Sequence, residues 1–271
     1  LRVRTLMKAP HAFHGRRFST VFTLSTLVAV LLTVLALAGL LFPMAIYPTA
    51  ALRQSFVAND VVNLVIGLPV LIGALWLMHR AQLAGVLGLP GALFYVTYNA
   101  IAYAAAMPLT WPFFAYLALA GLSVVAIILL LTSVDGIAVQ ARLRGRVAER
   151  FGAGVLIGFG ALFFLRAVAE LFAGAAEMAE FGVLVADALT TPCWVLGGLY
   201  LWRKQPPGYV CGAGLLLQAS LLFVGLLAFF LVQPFVAGAS FALEDFTVIL
   251  VMGLIVFVPF GRFVRGLLSS V

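Results

Sequence analysis

No lysine and no histidine falls within any of the long apolar runs of this chain: His11, His14 and His79 stand at their ends, and Lys8 and Lys204 lie in the connections. That absence removes the intramembrane ligands a haem or copper centre needs and the amine a Schiff base needs, which argues against most redox and retinal proteins and leaves no cofactor to expect. Cysteine is almost as scarce. Cys193 and Cys211 are expected near opposite ends of adjacent helices, too far apart for a disulfide, and no Cys-x-x-Cys pair exists for zinc or thiol exchange. Charged residues are only 9% of the composition, against 65% hydrophobic residues and a mean hydropathy of +1.19, values outside the range of soluble globular domains.

What the sequence has instead is lipid-compatible helix. A bilayer core of roughly 30 Å takes about 20 helical residues, so 271 residues accommodate about eight crossings and no sizeable soluble domain. Apolar runs and their punctuation place the spans at Thr20 to Phe42, Val57 to Met78, Leu83 to Met107, Trp111 to Leu131, Phe151 to Phe172, Phe181 to Trp202, Val210 to Val232 and Thr247 to Leu268. The fold class is therefore an all-α polytopic membrane bundle, a single transmembrane domain over 1–271. Pro43, Pro48, Pro108, Pro112, Pro206, Pro207 and Pro234 are expected in or beside connections, while Pro69, Pro90, Pro192 and Pro259 sit inside spans and should bend them. The basic stretch before the first span reads as a topology signal, since that span exceeds a cleavable leader core.

Charge sets the orientation. Fourteen of the sixteen Lys and Arg residues flank the side to which every even-numbered crossing returns, leaving only Arg53 and Arg166 opposite, whereas seven of the nine acids lie with those two. By the positive-inside rule both termini are cytoplasmic. The overall charge of +7 is thereby a topology signal, and nucleic acid is not an expected partner. Membrane lipids are, together with a protein partner or a second copy within the membrane.

The connection 132–150 divides the chain near its middle, and a displacement of 124 positions lays Trp76-Leu77-Met78-His79-Arg80 on Tyr200-Leu201-Trp202-Arg203-Lys204, Gly88 on Gly212 and Asn63 on Asp187. Halves 20–131 and 151–268 would then form a 4+4 parallel repeat about an axis along the membrane normal, with chance similarity of apolar helices as the competing explanation. Gly152, Gly154, Gly158 and Gly160 supply close-approach positions for helix packing.

Few residues carry chemistry. Asp135-Gly136 followed by Ala141-Arg142 superficially matches the opening of the CDP-alcohol phosphotransferase signature, yet the spacing is too long and the metal-binding carboxylates do not follow. Ser240 has no intramembrane histidine to activate it. Glu180, Glu244 and Asp245 are accounted for by the positive ends of helices running inward, and Asp60 stands near such an end. Arg166 with Glu170 one turn on, and Asp187 about two turns inside its span, are not, because a lone charge at that depth costs several kcal/mol unless it snorkels or pairs. Arg166, Glu170, Asp187, Asp60, Asn63, Tyr98 and Asn99 are thus the candidate residues of an outward-facing polar pocket; a snorkelling arginine with a structural ion pair is the alternative. No metal site is expected. The inner half offers only isolated polar groups such as Ser123 and Gln218, which disfavours an ion relay.

The run Asp60-Val-Val-Asn-Leu-Val-Ile-Gly-Leu-Pro69, with Trp76-Leu77 and Arg80 after it and Phe94-Tyr95-x-x-Tyr98-Asn99 beyond, resembles a group of bacterial multi-pass membrane proteins to which no activity is attached. The resemblance covers mainly helices two to four and implies a bacterial cytoplasmic (inner) membrane location without site residues to carry over. The function expected from all of this is a non-catalytic binding or accessory membrane component. A small-molecule or lipid transporter is the alternative and an intramembrane enzyme the third reading.

Overall fold

The computed structural model describes residues 16–174, 177–238 and 240–269, and His11, His14 and the basic residues before Arg16 lie outside them. Eight helices among the described residues are long and apolar enough to cross a membrane, and no strand occurs among them, so the chain is an all-α multi-pass membrane protein. In chain order the elements are α1 (Arg16–Leu41), α2 (Pro43–Ile46), α3 (Ala50–Val62), a π-helical turn (Asn63–Gly67), α4 (Leu68–His79), α5 (Leu83–Ala106), α6 (Trp111–Ser133), α7 (Gly136–Leu143), α8 (Glu149–Ala173), α9 (Met178–Trp202), α10 (Pro206–Ala237) and α11 (Leu243–Leu268).

α3, the π turn and α4 form one crossing of 30 residues that begins at Ala50, seven residues before the expected Val57. Thr49 caps it, its hydroxyl accepting from the Leu52 amide at 3.2 Å. This places Asp60 more than two turns inside the helix, so it does not serve the helix end as its sequence position suggested. Pro69 follows the π turn; it has no N–H, and its ring crowds the carbonyl four residues back, which the wider turn relieves. The Leu68 amide reaches Asn63 there. Pro234 lies inside α10 instead of in a connection, and Gly238, at φ +65°, ends that helix. The connection 132–150 contains a helix of its own, α7, capped by Asp135, which accepts from the Ile137 and Ala138 amides.

α5 is the hub. It has the lowest mean hydropathy of the eight spans and is the most buried, packing against α4, α6, α9 and α10. Spans that face lipid must be apolar all round, whereas a helix surrounded by protein can hold Thr97, Asn99 and Tyr103 where partners are available. α8 and α11 are the least buried, and large apolar side chains such as Leu162, Leu165, Val251 and Leu254 remain on their surfaces for lipid to cover.

The two ends of the bundle differ as their charges do. At the basic end Glu149 accepts from the Gly145 amide at 2.8 Å and the Tyr209 hydroxyl at 2.6 Å and pairs with Lys204 at 3.1 Å, tying α8 to the start of α10. The turns α4–α5 and α9–α10 close alike. Ala81 and Lys204 adopt φ of 55° and 54°, the Gln82 amide bonds Leu77 O at 3.0 Å, and the Gln205 amide bonds Tyr200 O at 2.9 Å. Gly85 lies against the Leu77–Met78 backbone as Gly208 lies against Tyr200–Leu201, and α5 crosses α10 where Gly91 meets Gly214. A methyl at Gly91 would lie 2.1 Å from Gly214 O.

Candidate functional site

Near the acidic end six of the seven candidate residues separate into two arrangements, with Glu170 outside both. The first surrounds Asp60, which is 1% exposed. Tyr47, in the bend between α2 and α3, donates to Asp60 Oδ2 at 2.5 Å, and Tyr103 of α5 donates to Oδ1 at 2.9 Å. The Tyr47 and Tyr116 hydroxyls lie 3.3 Å apart, bringing in α6. Burial first, then the neighbouring Tyr103 and Asp60, hold the Tyr47 phenol far above its ordinary value, so it remains a donor throughout the physiological range. Gly39 of α1 closes the last side, with room for no Cβ: one built there would be 2.0 Å from Asp60 Oδ2. The Asn63 amide nitrogen is 3.5 Å from the Tyr103 hydroxyl, while its buried Oδ1 has no partner among the described residues.

Asn59 connects this cluster to the second arrangement. Its amide nitrogen donates both to Tyr103 Oη at 3.1 Å and to Asn99 Oδ1 at 3.0 Å, and Asn99 in turn donates to the Tyr95 carbonyl one turn earlier in α5. Asn59 and Asn99 then face a cavity of about 620 Å³, lined also by Tyr98, Asp187 and Arg166. Asp187 is 7% exposed, and its Oδ1 accepts from the Tyr98 hydroxyl at 3.0 Å. Its Oδ2 has no hydrogen-bond donor among the described residues. Phe163 of α8 and Phe223, Phe229 and Phe230 of α10 form the apolar wall.

One stripe of α9 runs the length of the cavity: Glu180, Val183, Asp187 and Trp194, at helical spacings that keep them on one face. Glu180 to Trp194 is roughly 21 Å at 1.5 Å per residue, and Trp194 lies past the midpoint of its helix. At the floor the Trp194 indole N–H donates to Gln218 Oε1, and the buried Gln218 Nε2 is without a partner among the described residues.

Arg166 and Glu170 pair along α8 through two bonds, Nε to Oε1 at 2.9 Å and Nη2 to Oε2 at 3.3 Å. Their side chains are 47% and 40% exposed, so the arginine is not the buried guanidinium its depth in the sequence suggested. It reaches forward one turn along its helix to Glu170 and borders the cavity, whereas Glu170 does not line it. Of the seven residues, Asp187, Tyr98, Asn99 and Arg166 border the cavity, Asp60 and Asn63 belong to the closed cluster, and Glu170 stands outside both.

The sequence reading passed over Tyr47, Tyr103, Tyr116 and Asn59. Asn59 is the residue next to Asp60 in the chain, which was the available signal for it, but no spacing rule joins Asp60 to Tyr103 or Tyr116 across separate helices. Cys193 and Cys211, expected at opposite ends of their helices, border one second cavity of about 260 Å³ between α5, α6, α9 and α10, both as free thiols. Helices α9 and α10 run antiparallel about a tight turn, and both residues lie in the half of their helix nearer that turn.

Comparison with protein-family models, curated proteins and solved structures gives no match to this chain.

Proposed function

We propose that this multi-pass membrane protein binds an amphipathic small molecule in the cavity at its acidic end, acting as a non-catalytic binding or accessory component of a bacterial cytoplasmic membrane with that end outward. The observation that carries the reading is Asp187: a nearly buried carboxylate with one oxygen bonded by Tyr98 and the other without a donor among the described residues, in a cavity lined also by phenylalanines. Concave apolar sites of several hundred Å³ with a few convergent polar groups are the usual form of ligand pockets. Orientation is supported by the arginine and lysine asymmetry.

The test uses the full chain in lipid nanodiscs and the neutral fluorescent amphiphile N-phenyl-1-naphthylamine. Wild type should give saturable fluorescence enhancement over empty nanodiscs. Leu226→Trp and Val183→Trp, which place an indole in the cavity, should each abolish it without loss of the folded protein. Unchanged binding in both folded variants would sink the proposal. For orientation, Arg53→Cys and Lys204→Cys in a Cys193→Ser/Cys211→Ser background should label differently from outside intact cells, the first reacting with an impermeant thiol reagent and the second not.

Transport is the second reading, favoured by one observation: the cavity extends past the middle of α9 to the Trp194–Gln218 bond. Internal duplication is supported by the matching turns and crossings, each pair of residues 123 positions apart: Ala81 and Lys204, Gly85 and Gly208, Gly91 and Gly214. That displacement is one less than the alignment of Asn63 with Asp187 requires and pairs Asn63 with Ala186. Solute uptake into proteoliposomes that stops when Trp194 and Gln218 are cross-linked as cysteines would establish transport through this floor; binding without uptake leaves the accessory role.

A further inference from the structure

We infer that the ligand of this cavity is a lipophilic organic cation, with its charge held at Asp187. The inference rests on the binding function proposed above and narrows it to one charge class.

Charge comes first. The side chains lining the cavity include three carboxylates, Glu177, Glu180 and Asp187, and one cation, Arg166. That cation is already held by both oxygens of Glu170. An incoming anion would have to break a bidentate pair and pass two glutamates at the mouth, whereas a cation is drawn by the same glutamates and ends at a carboxylate with an oxygen free to receive it. Asp187 has no basic side chain bonded to it among the described residues. Among the described residues Arg166 is the cation close enough to act on its charge, and Arg166 faces Glu170 first.

The wall then decides what kind of cation. A metal ion wants several oxygen, nitrogen or sulfur donors converging on a small volume, and the described residues contain no group of three or more His, Cys, Asp or Glu able to hold one. The cavity is large and presents aromatic faces: Tyr98, Phe163, Trp194 and Phe223. Such faces attract a diffuse organic cation through their quadrupoles and bury its apolar body at the same time, an attraction that strengthens where water is excluded. A protonated amine or a quaternary ammonium or phosphonium carried on an apolar group meets all of these surfaces together.

Tetraphenylphosphonium and tetraphenylborate have nearly the same shape and opposite charge, which makes them the decisive probes. In full-length protein in nanodiscs, with empty nanodiscs subtracted, tetraphenylphosphonium should bind saturably and displace N-phenyl-1-naphthylamine, and tetraphenylborate should do so at least about tenfold less well. Asp187→Asn keeps the shape and an oxygen for Tyr98 to bond; it should weaken the phosphonium by about tenfold or more and leave the neutral dye unchanged. Equal or better displacement by the borate overturns the charge assignment even if Asp187→Asn does not fold, because it is read on wild type alone. An unchanged phosphonium affinity in folded Asp187→Asn overturns the role of Asp187. In both cases dye binding that is still blocked by Leu226→Trp leaves the cavity reading standing, whereas no saturable dye binding removes that reading and this one with it. Repeating the titration of the neutral dye, which surface charge does not concentrate, in phosphatidylcholine and phosphatidylglycerol nanodiscs separates the sources of the cation: weaker dye binding in the choline lipid identifies a lipid headgroup as the occupant, and equal binding identifies a free solute.

Discussion

Two aspartates face tyrosines within the membrane-spanning helices of this protein, and their surroundings differ in one respect that separates structure from recognition. Asp60 receives a phenol on each oxygen, Tyr47 on one and Tyr103 on the other, and Gly39 fills the remaining side. Asp187 receives one phenol, from Tyr98, and its second oxygen has no donor among the described residues beside an open volume of about 620 Å³. A buried carboxylate with a phenol on each oxygen locks the elements that supply them, here α3, the bend before it and α5, with α6 joined through the Tyr47–Tyr116 contact. A carboxylate with a bond left to make retains an interaction for something else. The difference gives the two residues opposite signatures: substitutions around Asp60 should cost stability, and those around Asp187 should cost binding.

The largest expected effect tests the seal. Gly39→Val would drive a methyl-bearing carbon into Asp60 Oδ2 and the Tyr47 hydroxyl, so we expect a loss of about 3 kcal/mol or failure to accumulate folded protein, read by denaturant unfolding in mixed micelles. Wild-type stability would show that α1 can retreat and that the Asp60 chamber is open as well.

Next comes Asp60 itself. Asp60→Leu strands two phenols, and hydrogen bonds to charged groups are worth about 1.5 to 3 kcal/mol in water-soluble proteins but average less within membranes, so about 2 kcal/mol is expected, with tetraphenylphosphonium affinity within about twofold of wild type. A loss of affinity with no loss of stability would reverse the assignment of the two aspartates.

Asp187→Asn should cost under about 1 kcal/mol on the same unfolding measurement, because a single bond to Tyr98 is at stake and the asparagine oxygen can keep it. Destabilisation equal to that of Asp60→Leu would make Asp187 a second structural lock and remove the contrast. The smallest change is expected at the rim, where Arg166→Leu should alter stability by well under about 1 kcal/mol, the pair being close to half exposed and screened. A measured loss of several kcal/mol there would mean that the bundle packs more tightly around α8 than its exposed surface implies.

How much of this was readable in advance varies with the range of the interaction. Asp187 and Tyr98 were identifiable one by one as polar groups set inside apolar runs, and Arg166 with Glu170 followed from helical spacing. The chamber around Asp60 was not. Its helix begins at Ala50, earlier than the hydropathy suggests, since Arg53 and Gln54 make the first two turns polar while Arg53 Nη1 bonds the carbonyls of Tyr47 and Pro48. Asp60 therefore lies deeper than its distance from the apolar run indicates. Cys193 and Cys211 share a cavity because both lie in the half of their helix nearer the α9–α10 turn, and which third and fourth helices close that cavity depends on packing.

The sequence by itself determined that eight crossings exist, since a fixed bilayer thickness demands runs of about 20 apolar residues, and it assigned the basic residues to one end and most acids to the other. Only the tertiary structure decided which buried carboxylate is closed and which borders a cavity. Tyr47 and Tyr103 reach Asp60 from positions 13 and 43 residues away, with Tyr116 joined through the Tyr47 hydroxyl, and whether an aspartate oxygen meets a phenol or a cavity depends on how neighbouring helices pack, a property of short-range contacts between distant parts of the chain that no local periodicity encodes.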